Sequence, residues 1–287
     1  MKPHKLIPLL IIIAASNVIK AEVEPITIPY AEDIHPRLKM DIYQPENIQE
    51  SAPVIFWIHG GGWSGGGKRD VKILDVVGKG YAVVSANYRL SQHAKFPAQI
   101  DDLRLALRFL LEIAPEYNLD TNKIFIVGES AGGQLAVLLG VTLDQLFSDD
   151  EMESSNEAEF TVRGIVNYYG ASDFVLRSIT QPHRANEKGS VVYNYLGGPA
   201  NELTEKAVMA SPALHVSPDD PPLLIFHGVK DNTVLIDQSQ RLFQAYLDRD
   251  LNVEFHALDR LGHGGKDFYQ GLNFELLLKF LAQNLEN

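Results

Sequence analysis

Compact apolar runs that stop abruptly at turn residues set the strongest limit on what this chain can fold into. Val54–Ile58 is introduced by Pro53 and ends at His59 and a glycine stretch. Tyr81–Ala86, Lys123–Val127, Gly164–Tyr169, Leu223–His227 and Val253–Ala257 repeat the form. Near-continuous runs of this kind suit strands buried on both faces of a parallel sheet. Between them lie segments with helical spacing. Ile100–Ile113 places Leu and Phe at i, i+3 and i+4, with Asp101 and Asp102 near the start, where the helix dipole favours acids. Ser130–Leu146 is small and apolar, as a helix packed tightly on a sheet requires, and Leu235–Asp248 and Lys266–Asn284 complete the set. Ile26–Tyr30 and Leu38–Tyr43 read as two further short strands with polar interruptions. Strand and helix alternate, which predicts an α/β architecture around a mostly parallel, doubly wound sheet. No internal repeat or low-complexity linker divides residues 22–287, so one domain is expected. The longest stretch between core strands, about residues 170–222, is punctuated by Pro182, Gly197, Gly198, Pro199, Pro212 and Pro218. It is expected to form a small cap over the carboxyl edge of the sheet.

Residues 1–21 read as an export signal. Lys2 and Lys5 precede the apolar run Leu6–Ala15, too short for the roughly 20 residues of a membrane span. Cleavage after Ser16 or after Ala21 fits, with a retained membrane anchor as the alternative, and a secreted or periplasmic location is expected. The chain has no cysteine, which rules out a lipid-modified cysteine after the run and leaves the redox compartment open. Its formal charge is −12, and loss of residues 1–21 removes three lysines and no acid, leaving −15. That balance repels phosphate backbones and anionic lipid, so neither nucleic acid nor a stable membrane contact is expected. The acids from Asp149 to Glu159 read as a solvated loop, with a metal site as the lesser alternative.

Gly128-Glu129-Ser130-Ala131-Gly132 follows one predicted strand and opens a predicted helix. A serine on so tight a turn stands exposed at the sheet edge, and the flanking glycines let backbone and helix approach. His59-Gly60-Gly61-Gly62-Trp63 follows another strand, and its glycines leave main-chain N–H groups uncovered. Gly61, Gly62 and Ala131 are the expected donors to an oxyanion. The glycine loop does not continue into the Gly-Lys-Ser/Thr of a phosphate cradle: Gly65-Gly66-Gly67-Lys68 leads to Arg69. Asp231 stands just past Leu223–His227, and His263 lies between glycines after Val253–Ala257. Ser130, Asp231 and His263 thus occur in the chain order of a nucleophile, acid and base on a doubly wound sheet. Asp173 is a competing acid; Asp259 and His59 are expected to shape loops, and His227, within the strand end, to be structural. Trp63 is a candidate substrate contact. Together with Phe174, Tyr193 and Tyr195 it either rims the site or packs the interior.

These motifs resemble α/β-hydrolases of the bacterial feruloyl-esterase-like and hormone-sensitive-lipase-like groups. The resemblance is carried by His59–Trp63, Asn87-Tyr88-Arg89-Leu90, Phe96-Pro97-Ala98-Gln99 with Asp102, and Gly128–Gly133. It continues through Ser211-Pro212, Pro218-Asp219-Asp220-Pro221-Pro222, His227-Gly228 with Asp231, and Gly262–Gly265. It implies the α/β-hydrolase fold and a serine carboxylesterase that needs no metal or organic cofactor. In such groups the glycine-loop and post-serine amides bind the oxyanion, and many members release acetyl or feruloyl groups from plant polysaccharides. Expected partners are therefore polysaccharide or small-molecule esters. A serine peptidase on the same fold and a non-catalytic binding module are the alternatives.

Overall fold

The computed structural model describes residues 24–46, 50–146 and 160–285. The expected leader at residues 1–21 and the acidic segment 149–159 lie outside the described residues. Eight strands form one sheet: β1 (Ile26–Pro29), β2 (Lys39–Tyr43), β3 (Ala52–Ile58), β4 (Ala82–Ala86), β5 (Leu119–Glu129), β6 (Val162–Tyr168), β7 (Leu223–Gly228) and β8 (Val253–Leu258). Their order is β1-β2-β4-β3-β5-β6-β7-β8; β1 and β2 pair antiparallel and every pair from β4 to β8 is parallel. This is the α/β-hydrolase architecture expected from the sequence.

The apolar runs are continuous because both faces of the sheet are covered. In β3, Val54, Phe56 and Ile58 join α1 (Ala98–Ile113) and α2 (Ala131–Gly140) in one core. Ile55 and Trp57 of the same strand face a second core, to which the C-terminal helix contributes Leu277, Phe280 and Leu281. After β6 the chain builds the cap from α3 (Phe174–Thr180), α4 (Pro182–Ala185), α5 (Val191–Leu196) and α6 (Thr204–Met209). Then α7 (Asp237–Leu247) and α8 (Gly271–Leu285) complete the flanks.

Two helices are shorter than their sequence pattern. The helix expected over Ser130–Leu146 stops at Gly140, and Leu143–Gln145 form a separate 3₁₀ turn. The Thr142 hydroxyl donates to the Leu138 carbonyl at 2.6 Å, and the Thr142 N–H turns to Leu139 instead. The segment Lys266–Asn284 is likewise divided. Lys266–Tyr269 is a 3₁₀ turn, and the α-helix begins only at Gly271, at φ +55°. The motif around Arg89 is scaffold. Asp102, buried on α1, takes the guanidinium through Nε and Nη2 at 2.7–2.9 Å and the Arg89 N–H at 2.8 Å. That clamp fixes the chain leaving β4 beside the glycine loop.

Candidate active site

Ser130 sits between β5 and α2 with φ +51° and ψ −117°, a conformation that costs a non-glycine residue energy and is held by its surroundings. Its N–H donates to the Tyr168 carbonyl at 2.8 Å. Gly132 is obligatory here: a Cβ would stand 2.1 Å from the Ile58 carbonyl oxygen. The helix therefore meets the end of β3 backbone to backbone, which brings the glycine loop alongside Ser130. Within that loop Gly61 has φ +106°, and a Cβ on it would lie 2.4 Å from the Gly65 carbonyl oxygen.

The structure brings the three candidate residues into one hydrogen-bonded chain. His263 Nδ1 lies 2.6 Å from Asp231 Oδ2, and His263 Nε2 lies 2.8 Å from Ser130 Oγ. A carboxylate only accepts, so Nδ1 carries the proton and Nε2 is free to receive the serine hydroxyl's. Asp231 Oδ1 accepts the N–H groups of Thr233 and Val234 at 2.8 and 2.9 Å. Burial alone would raise this carboxyl. The hydrogen bonds from His227 and His263, the His263 charge and the Val234 amide outweigh it and hold Asp231 well below the usual carboxylate range. It stays an anion wherever the imidazole needs one.

A cavity of about 350 Å³ opens above Ser130 and His263. Gly61, Gly62 and Ala131 line it. Ala131 is the first residue of α2, where helix geometry leaves the N–H without an internal acceptor. Among the described residues, neither the Gly61 nor the Gly62 N–H donates to another backbone group. The arrangement can thus present a hydroxyl nucleophile and its base to a cavity lined by residues whose N–H groups have no backbone acceptor.

Trp63 also lines the cavity, but only 3% of it is exposed. Its ring stacks on Tyr195 at 4.3 Å, and its indole N–H donates to Gln134 Oε1 at 2.9 Å. Phe174 and Tyr195 are fully buried against it, so these aromatics join the cap to the sheet. Asp173 is committed elsewhere: it caps α3 by accepting from the Leu176 N–H and pairs with Arg241. Asp259 is exposed and takes no place in the site.

His59 shapes the glycine loop, as its position implied. Its ring stacks on Tyr88 at 4.3 Å and 9°, and its Nδ1 bonds the Gly60 carbonyl at 2.8 Å. Burial, reinforced by Arg37 and opposed in part by the Gly60 carbonyl, lowers its pKa from 6.5 to about 4. Between these values the unfolded chain binds a proton that the folded chain refuses. Stability is therefore full above pH 6.5 and falls as the pH drops towards 4, by about 3 kcal/mol. Urea unfolding of wild type and His59→Gln between pH 7 and 4 checks this. The variant should lose most of the slope in that window; an unchanged slope would place the effect elsewhere.

Three neighbours, Glu129, Tyr169 and Tyr269, were not foreseen from sequence, nor was the contact of His227 with the acid. Glu129 Oε2 accepts the hydroxyls of Tyr169 and Tyr269 at 2.7 and 2.6 Å, and the two hydroxyls touch each other. Burial and the Glu129 charge raise both phenols, so they remain donors. Tyr169 sets its ring edge to face against His263 at 4.8 Å. Its place at the carboxyl end of a central strand was the signal that could have found it. His227 bonds Ser239 Oγ at 2.7 Å and the Val234 carbonyl at 2.9 Å, and its Nε2 lies 3.3 Å from Asp231 Oδ2. It shapes the acid's loop, and it also touches the acid. Among the described residues no cluster of His, Cys, Asp or Glu is arranged to hold a metal ion, and no helix is long and apolar enough to cross a membrane.

The family model described as BD-FAE matches residues 40–246, well over half the chain. The chain belongs to the BD-FAE family. The match takes in Ser130 and Asp231 and ends before His263. The BD-FAE chain is 30% identical over 237 residues to "Probable carboxylic ester hydrolase LipM" of Mycobacterium tuberculosis, covering 78% of this chain and 54% of that protein. It is 26% identical to esterase LipC of the same organism, covering 82% and 58%. It therefore spans a little over half the length of these curated relatives. A solved structure titled as a truncated carbohydrate esterase from gut microbiota superposes with a TM-score of 0.80 at 26% identity, covering 93% of this chain and 99% of that one.

Proposed function

We propose that this chain is an exported serine carboxylesterase that releases acetyl or feruloyl-type acyl groups from a carbohydrate or other small ester through an acyl-enzyme. The observation that carries the reading is the Ser130–His263–Asp231 chain on a cavity that Gly61, Gly62 and Ala131 line. Ser130 Oγ attacks the ester carbonyl as its proton passes to His263 Nε2, and Asp231 stabilises the imidazolium without taking the proton. The oxyanion that forms is met by the loop and helix N–H groups; one such donor contributes on the order of 3 kcal/mol in the transition state. His263 then gives its proton to the departing alcohol, and water repeats the sequence on the acyl-serine. The names borne by LipM, LipC and the carbohydrate esterase support ester hydrolysis. Export rests on the sequence of residues 1–21 alone.

The test combines a label and a panel. A fluorophosphonate should attach at Ser130 and abolish release of p-nitrophenol from p-nitrophenyl acetate, with acetylated xylan, acetylated pectin and methyl ferulate sorting the acyl group. Absence of labelling would favour the binding-module alternative, and equal turnover of p-nitroanilides would favour the peptidase.

A further inference from the structure

Two arginines of the cap line the same cavity, and ester hydrolysis as described uses neither. Arg177, on α3, is 1% exposed, and Arg184, on α4, is half-buried. Arg177 Nη2 donates to the Thr233 carbonyl at 2.7 Å, which ties one corner of the guanidinium to the loop that carries Asp231. Its buried Nε has no hydrogen-bond partner. Among the described residues, no carboxylate lies within ion-pair distance of either arginine. That isolation stands out in a chain whose net charge is −12.

The acids whose charges reach Arg177 are Asp231 and Asp237, and neither lies within ion-pair distance of it. Asp231 is saturated by His263, His227 and the two amides of its own loop. Glu129, the carboxylate in the cavity itself, is held by Tyr169 and Tyr269. Burial, with the adjacent Arg184 charge, lowers Arg177 to about 10, so it remains a cation at neutral pH. Two like charges line one cavity, and the buried Nε of one of them has no acceptor. An arginine fork in that setting is matched by a planar anion with two acceptor oxygens.

We propose that Arg177 and Arg184 form a carboxylate-binding subsite, so that the ester this site takes carries an anionic group. The proposal rests on the esterase reading and names the substrate class within it. The carboxylate can belong to the acyl group, as in a half-ester of a dicarboxylic acid, or to the alcohol, as in an acylated uronic acid. Either would approach two arginines that have no carboxylate within ion-pair distance.

The experiment has one pair of esters for each source. On the acyl side, mono-p-nitrophenyl succinate is compared with the neutral isostere p-nitrophenyl 4-methylpentanoate. On the alcohol side, acetylated methyl glucuronoside is compared with acetylated methyl glucoside. At least a tenfold preference in kcat/KM for the charged member is expected on one arm, as about one good charge-assisted pair would give, expressed mainly in KM. Arg184→Gln and Arg177→Met should each bring that ratio close to one; Arg184, on the cavity rim, carries the reading if Arg177→Met does not fold. A ratio below twofold on both arms, or one that persists in Arg184→Gln, overturns the subsite while leaving the esterase reading intact. Should none of the four esters react, the esterase reading fails first. The subsite is then decided by calorimetric titration of monomethyl succinate into wild type and Arg184→Gln, where equal or absent binding overturns it.

Discussion

Ser130→Ala is expected to lower kcat on p-nitrophenyl acetate by about 10⁴- to 10⁶-fold, with little change in KM and no fluorophosphonate label. Ser130 Oγ is the hydroxyl that His263 Nε2 meets at 2.8 Å, and alanine leaves the imidazole with no proton to accept from a nucleophile. The N–H groups of Gly61, Gly62 and Ala131 stay in place, so a small rate above that of water should survive, carried by the oxyanion site and binding. The fold should survive as well. Alanine occupies the same φ of +51° with no new clash, and the Ser130 N–H to Tyr168 bond is a backbone bond. A melting temperature within a few degrees of wild type, measured by circular dichroism, separates loss of chemistry from loss of structure. A variant that keeps wild-type turnover would remove Ser130 from the mechanism.

Legibility in the sequence divides along a physical line. The strands were readable because each is buried on both faces, so near-continuous runs such as Val54–Ile58 mark them without reference to partners. Ser130, Asp231 and His263 were readable because each stands just past a strand end, in a glycine-marked turn. The lengths of α2 and α8 were not, since a single threonine back-bond and one positive-φ glycine end or restart them. The cavity walls were hidden for another reason. Tyr169, Arg177 and Arg184 come from the end of β6 and two separate cap helices, and only tertiary packing brings them round Ser130. Tyr269 reaches Glu129 and Tyr169 from a later segment still. Trp63 shows the converse. Its place beside the glycine loop marks it as a contact, but tertiary packing against Tyr195 and Gln134 has taken up most of the ring.

Asp231→Asn should cost nearly as much activity as loss of the nucleophile, about 10⁴-fold in kcat, for a reason the hydrogen-bond directions dictate. The amide oxygen of the variant side chain would go on accepting from Thr233 and Val234, so its nitrogen must occupy the place of Oδ2. There it donates towards His263 Nδ1, which becomes an acceptor and pushes the ring proton onto Nε2. Nε2 then faces Ser130 Oγ as a donor and cannot take its proton. The same amide also meets His227 Nε2, which already carries a proton because the Val234 carbonyl can only accept. Two donors face each other, so stability should drop too. The pH dependence gives an independent check. Asp231 ionises below its ordinary 3.8 in the folded chain, so its contribution to stability is present above that pH and is lost as the pH falls through the folded value. Denaturant unfolding below pH 4 should therefore steepen with acid in wild type and less so in the variant, in a window distinct from that of His59. Fluorophosphonate labelling adds the last discrimination: it should be slowed in Asp231→Asn, whose hydroxyl nucleophile remains, and absent in Ser130→Ala. Labelling at the wild-type rate would mean that Asp231 does not orient the base.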